Sequence, residues 1–183
     1  MSGTARGVVV LLIILLAGYA YTARNKGQEG GPAAKKAHVV VHGNAPAFDV
    51  TTLDGKHLTS EELYGDKPVV ISIFATWCGP CNREAPALNN LYAKYKDKVT
   101  ILAISVDDPG DLEKVKAFQK DKGLNYYIAH DTQGIYGQRF QAPGIPKLVM
   151  VDLQGNVAGE EVGFGSEEEL DAKVEEALKL SKL

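Results

Sequence analysis

Cysteine is scarce in this sequence: its 183 residues include only two, Cys78 and Cys81. A tetrahedral zinc site would need further nitrogen or sulfur ligands at suitable spacing beside such a pair. No other cysteine exists, and the four histidines are scattered along the chain. His38 and His42 bracket three valines, but no third ligand lies close to them in the sequence. We therefore expect neither a metal site nor a cofactor.

An excess of positive charge is also missing. The formal net charge is −3 and the pI is about 5.8, so the chain carries no electrostatic signature of nucleic-acid binding. No internal repeat is visible, and the length suits one domain with its own apolar core. A disulfide between the two cysteines would close a very short loop and add little stability to such a domain. A purely structural role for the pair is therefore disfavoured.

The N-terminal residues 1–24 have the character of a membrane signal. The run Val8–Tyr21 is uncharged and almost wholly apolar, and the next charge is Arg24. Its length approaches the ~20 residues that span a bilayer. Tyr19 and Tyr21 suit the membrane interface, which favours an uncleaved single-pass anchor over a cleaved signal peptide. On either interpretation the rest of the chain is exported.

Residues 25–45 predict a flexible linker, because Gly, Ala, Lys and Pro dominate them. We expect the folded domain to span residues 46–183. Near its start, Asp54-Gly55 predicts a hairpin turn. The segment Thr59–Glu62 then predicts a capping box that opens a short helix.

The pattern of the remaining chain predicts an α/β fold. Val69–Phe74 is apolar at every position, as in a strand covered on both faces. Helices are predicted after the cysteine pair, from Asp108 to Gly123, and after Ser166. Further strands are predicted at Val99–Val106, Tyr126–Ala129, Lys147–Asp152 and Val157–Val162. This order indicates a mixed central sheet with helices on both faces, an N-terminal hairpin extension and an inserted helix-strand unit.

The two cysteines are predicted to lie where a buried strand meets a helix. Cys78 would stand at the first turn, where free amide groups and the helix dipole stabilise a thiolate. Cys81, one turn further along, would be better shielded. Pro80 loses no hydrogen bond in a first turn, and Gly79 allows a partner's backbone to approach. These features favour a redox couple, with Cys78 attacking and Cys81 resolving.

The segment FATWCGPCNREAP at residues 74–86, with Gly-Ile-Pro before a later apolar strand, resembles the thioredoxin superfamily. More narrowly, it is similar to the TlpA/ResA/CcmG (DsbE) group of membrane-anchored, extracytoplasmic thiol-disulfide oxidoreductases of bacteria. The similarity extends from Pro46 to the C-terminus. It implies a thioredoxin fold for residues 46–183. It also implies a single-pass protein of the bacterial cytoplasmic membrane, with its catalytic domain on the periplasmic side.

The resemblance assigns roles to individual residues. It implies a redox-active Cys78–Cys81 disulfide and matches Glu84 to the acidic residue that this group places beneath it. It matches Pro146 to the family's cis-proline, which would present the backbone of Ile145 to a docked peptide. The alternatives are a surface position for Glu84 and an ordinary trans proline.

The resemblance also bears on other positions near the disulfide. Trp77 is expected to shield the disulfide face and to contact partners together with Gly79 and Pro80. Ser72 stands where cytoplasmic thioredoxins have a buried aspartate, which shifts the proton-transfer role to Glu84. Lys147 replaces a small hydroxyl residue of the family, so we expect a more basic rim. The Gly-Pro insert between the cysteines is that of reducing thioredoxins.

The resemblance implies a reductase of protein disulfides in the cell envelope. Its expected client is apocytochrome c, whose haem-binding cysteines must be reduced before haem attachment. A membrane electron donor of the DsbD/CcdA type would re-reduce the Cys78–Cys81 pair. The alternative from another class is a thioredoxin-fold binding module, such as a metal or haem-ligation chaperone or a holdase, without redox turnover.

Overall fold

The computed structural model describes residues 44–180. The predicted membrane segment at residues 1–24, nearly all of the predicted linker at residues 25–45, and the pair His38 and His42 lie outside this range. Within the described range, no helix is both long enough and apolar enough to cross a membrane.

The described chain opens with the predicted hairpin. Strands β1 (Asp49–Thr51) and β2 (His57–Thr59) pair antiparallel. The turn between them contains Gly55 at φ +85°, a conformation that glycine adopts without strain. Thr59 then caps helix α1 (Ser60–Leu63), and its side chain and that of Glu62 form the reciprocal hydrogen bonds of a capping box.

The central sheet has five strands in the order β5-β4-β3-β6-β7. They are β3 (Val69–Phe74), β4 (Thr100–Ser105), β5 (Tyr127–His130), β6 (Lys147–Val151) and β7 (Val157–Val162). Strands β3, β4 and β5 run parallel, whereas β6 is antiparallel to β3, and β7 to β6. The sheet is therefore mixed, with β3 at its centre.

Helices cover both faces of the sheet, as predicted. They are α2 (Gly79–Tyr95), α3 (Leu112–Asp121), α4 (Tyr136–Arg139) and α5 (Glu167–Leu180). Apolar residues of α2, α3 and α5 pack with Val70 and Phe74 on one face. On the other face, α1, α4 and the hairpin pack against Ile71 and Ile73. Strand β3 is thus buried at all six positions.

The short helix α4 was not predicted, because four residues are too few to show helical periodicity. Its start is held by the buried carboxylate of Asp131, which accepts hydrogen bonds from the backbone N–H groups of Ile135 (3.2 Å) and Tyr136 (2.7 Å). Tyr136 in turn joins α4 to the hairpin. Its hydroxyl donates to the carbonyl oxygen of Asp49 at 2.5 Å and accepts from the Asp49 N–H at 3.1 Å.

We expect Tyr136→Phe to lower the free energy of unfolding by about 1–3 kcal/mol, because it leaves both backbone groups of Asp49 without this partner. Urea denaturation of the oxidised protein measures the change. Tyr127→Phe is the matched control, since its hydroxyl accepts an exposed hydrogen bond from Lys56, and it should cost less than about 0.5 kcal/mol. Equal losses in the two variants would contradict the anchoring role of Tyr136.

Candidate active site

The two cysteines form a disulfide where β3 passes into α2. Cys78 is the N-cap of α2, and its Sγ accepts a hydrogen bond from the Cys81 N–H at 3.2 Å. Cys78 is 5% exposed and Cys81 only 1%. A thiolate on Cys78 would therefore sit at the positive end of the helix dipole, and Cys78 is the more exposed of the two cysteines.

Strand β6 brings the Gly-Ile-Pro segment beside the disulfide. Lys147 at the start of β6 pairs with Ile73 near the end of β3. The Ile145–Pro146 peptide bond immediately before it is cis. The carbonyl oxygen of Ile145 lies 3.6 Å from Cys78 Sγ. The structure thus brings the predicted Ile145 and Pro146 together with the cysteine pair.

The residues on either side of Cys78 are open to solvent. The side chain of Trp77 is 71% exposed, and Gly79 and Pro80 are exposed as well. Nothing in the described part of the chain would contact a Cβ placed on Gly79. The predicted contact residues therefore border a surface that an approaching polypeptide can reach.

Glu84 lies inside the protein and not on its surface. It is 1% exposed, on the inner face of α2, one turn beyond Cys81. Its Oε2 accepts a hydrogen bond from Ser72 Oγ of β3 at 2.8 Å, while Oε1 has no partner among the described residues. Burial raises the pKa of Glu84 to about 7, against the opposing effect of the Ser72 hydrogen bond, and the charge of Glu161 raises it further. Such a carboxyl can hold or release a proton near neutral pH.

The expectation of a more basic rim is wrong. Lys147 is only 5% exposed, and its Nζ lies 2.8 Å from a carboxylate oxygen of Glu160 on β7. The two residues belong to the neighbouring strands β6 and β7, so the lysine is buried and its charge is paired with that of Glu160.

Comparison with known proteins agrees with this geometry. The Redoxin family profile matches residues 41–178. The chain belongs to the Redoxin family. It is 34% identical over 165 residues to the thiol-disulfide oxidoreductase ResA of Bacillus thuringiensis (strain Al Hakam), covering 89% of this chain and 90% of ResA.

Two further similar proteins extend the comparison. The thioredoxin-like protein YneN of Bacillus subtilis (strain 168) is 30% identical over 167 residues, covering 90% of this chain and 94% of YneN. A crystal structure of a thiol:disulfide interchange protein of the thioredoxin family from Chlorobium tepidum TLS superposes with a TM-score of 0.65 and 33% identity, covering 73% of this chain and 94% of that protein. The predicted membership of the thioredoxin superfamily, with similarity to the ResA group, is confirmed, and so is a thioredoxin-like oxidoreductase.

Three polar residues beside the disulfide of this Redoxin-family protein were not predicted. They are Thr76, Asn82 and Asp107, which share hydrogen bonds around the segment that leads into Cys78. One signal pointed to Asp107: it follows the apolar strand β4, and carboxyl ends of neighbouring parallel strands meet at one edge of a sheet. Within residues 44–180, no three His, Cys, Asp or Glu side chains are grouped as a metal site.

The raised pKa of Glu84 predicts a pH-dependent stability. The carboxyl titrates at about 7 in the folded protein against 4.5 ordinarily, so between these values the folded state keeps a proton that the unfolded state releases. The contribution of Glu84 to stability is therefore fully present below pH 4.5 and is lost as the pH rises to about 7. Relative to Glu84→Gln, the free energy of unfolding of the oxidised wild type should fall by about 3 kcal/mol across this range.

Urea denaturation at a series of pH values measures this difference. Glu113→Gln is the matched control, because the Glu113 side chain is 83% exposed, and its curve should run parallel to that of the wild type. If the wild-type and Glu84→Gln curves also ran parallel, Glu84 would not titrate as its burial implies.

Proposed function

We propose that the chain reduces disulfides of exported proteins through the Cys78–Cys81 couple. The observation that carries this proposal is the position of Cys78 Sγ. This sulfur accepts a hydrogen bond from the Cys81 N–H at the start of α2, and it lies 3.6 Å from the Ile145 carbonyl oxygen. The first contact favours a thiolate, and the second places that sulfur beside backbone that an extended peptide can pair with.

Reduction proceeds through a mixed disulfide. The Cys78 thiolate attacks one client sulfur, the client S–S bond breaks, and the other client sulfur leaves as a thiolate. The Cys81 thiolate then attacks Cys78 Sγ, releases the first client sulfur as a thiolate and closes the Cys78–Cys81 disulfide. Two electrons have passed from the couple to the client, and both client thiolates take protons.

Glu84 supports the second step as a proton acceptor. Cys81 is 1% exposed, so water has little access to its thiol proton. Glu84 lies one turn away on the same face of α2, and with a pKa of about 7 it can accept that proton at neutral pH. Ser72 holds the carboxylate in place through its hydrogen bond to Oε2.

The same proposal places the protein in the bacterial envelope. The apolar segment at residues 1–24 would anchor it in the cytoplasmic membrane, with the Redoxin domain on the periplasmic side. Apocytochrome c is then the expected client, and a membrane protein of the DsbD/CcdA type the expected electron donor. The similarity to ResA supports this placement.

The test is a trapping experiment with a peptide that carries an oxidised CxxCH motif. Full-length Cys81→Ser should accumulate a mixed disulfide between Cys78 and the peptide, visible on a non-reducing gel and located by mass spectrometry, because no resolving thiol remains. Cys78→Ser is the matched control and should accumulate at least tenfold less, since its remaining sulfur is the shielded one.

Two outcomes would contradict the proposal. Equal trapping by the two variants would mean that Cys78 is not the attacking sulfur. No trapping, together with stoichiometric metal or haem binding that needs both cysteines, would instead favour the binding-module alternative.

A further inference from the structure

A buried carboxylate lies next to the active-site loop without belonging to the redox couple. Asp107, just beyond the end of β4, is 3% exposed. Its Oδ2 accepts hydrogen bonds from the Thr76 N–H at 2.9 Å and from Ser105 Oγ at 2.6 Å. Its Oδ1 accepts from Thr76 Oγ1 at 2.6 Å. Both oxygens of Asp107 are therefore engaged, and both bind Thr76.

Thr76 is also held from the opposite side. Asn82 Nδ2 on α2 donates to the carbonyl oxygens of Thr76 and Cys78, each at 2.9 Å. The Cys78 N–H donates a hydrogen bond to the carbonyl oxygen of Ala75 at 3.2 Å. The three-residue connection from β3 to Cys78 is thus tied to β4 through Asp107 and to α2 through Asn82.

Packing holds only the start of this connection, because Ala75 is fully buried whereas Trp77 is 71% exposed. The polar contacts of Thr76 therefore restrain the rest of the path into Cys78. They matter for chemistry because the Cys78 thiolate needs its sulfur at the start of α2, where the Cys81 N–H lies 3.2 Å away. A looser loop would let Sγ leave that amide and lose its stabilisation.

We propose that Asp107 is a positioning residue for Cys78, acting through Thr76. This inference rests on the proposed role of Cys78 as the attacking sulfur. Charge-assisted hydrogen bonds to a carboxylate are shorter and stronger than neutral ones, which suits them to hold an exposed loop in one geometry.

Other titratable groups surround the same region. Glu84 approaches from the inner face of α2, and Asp108 is exposed at the start of the loop that leads to α3. From β5, His130 places its Nε2 3.2 Å from the Asp107 carbonyl oxygen and 3.1 Å from that of Asp108. Lys122, after α3, donates from Nζ to the Asn82 carbonyl oxygen at 3.3 Å. None of these groups is altered by the substitutions below.

The test separates positioning from a simple field effect of the Asp107 charge. Removing a nearby negative charge by Asp107→Asn would, by its field alone, favour the Cys78 thiolate and speed its alkylation. Loss of positioning acts in the opposite direction. Thr76→Val removes one hydrogen bond to Asp107 without changing any charge, and Thr76→Ser keeps the hydroxyl.

The measurement is the rate of iodoacetamide alkylation of Cys78 in the reduced, full-length protein between pH 5 and 10, with the modified cysteine located by mass spectrometry. We expect Asp107→Asn and Thr76→Val both to slow alkylation at pH 7 by about tenfold, the effect of one unit in the pKa of Cys78. Thr76→Ser should restore most of the rate lost in Thr76→Val. Asp131→Asn is the matched control, because it also removes a buried carboxylate that accepts backbone N–H groups, at α4; it should keep the wild-type profile.

Three results would overturn the inference. They are faster alkylation in Asp107→Asn with Thr76→Val unchanged, an unchanged profile in both, and an equal slowing in Asp131→Asn. A different result would overturn the proposed function itself: alkylation of Cys81 before Cys78 in the wild-type protein.

Discussion

The burial of β3 on both faces is the constraint on which the rest of the site depends. Its six residues are enclosed by β4 and β6 at the sides and by helices and the hairpin above and below. The strand therefore ends at a defined point, and the chain that leaves it must turn into α2. Cys78 lies at that turn, where free N–H groups favour a thiolate. The packing of the sheet thus determines where Cys78 lies, and that position favours its thiolate.

The same packing explains the second chemical feature of the site. Because α2 lies flat on the sheet, the residue one turn beyond Cys81 must point into the core, and that residue is Glu84. Desolvation of its carboxyl costs stability at neutral pH, and one hydrogen bond from Ser72 compensates only in part. Glu84 is buried, and its Oε1 has no hydrogen-bond partner among the described residues. A residue with this destabilising arrangement is unfavourable in a purely structural role.

The sequence predicted those features that depend on neighbouring residues or on a known motif. The capping box at Thr59, the turn at Gly55 and the buried strand β3 are local patterns, and the structure contains all of them. The resemblance supplied the pairing of Pro146 with the cysteines, which lie far apart in the chain.

What could not be predicted depends on contacts between distant segments. Asp107 meets Thr76 only because β3 and β4 end at the same edge. Lys147 is paired with Glu160 on the next strand, so the expectation that its charge would make the rim more basic was wrong. Helix α4 depends on the Asp131 carboxylate and on the hairpin that Tyr136 binds. The place of Asp107 after an apolar strand indicates the edge of the sheet where it lies but not its partner, and no period or motif in the sequence encodes the other two contacts.

The central claim is that the Cys78–Cys81 couple donates electrons to its clients. The most direct measurement is its reduction potential, obtained by equilibrating the protein in dithiothreitol redox buffers and following the fluorescence of Trp77, the single tryptophan of the chain. We expect a potential close to that of thioredoxin, about −270 mV. A value of about −120 mV, that of the strong oxidant DsbA, would mean that electrons flow from client to protein. That result would contradict the proposed reductase function.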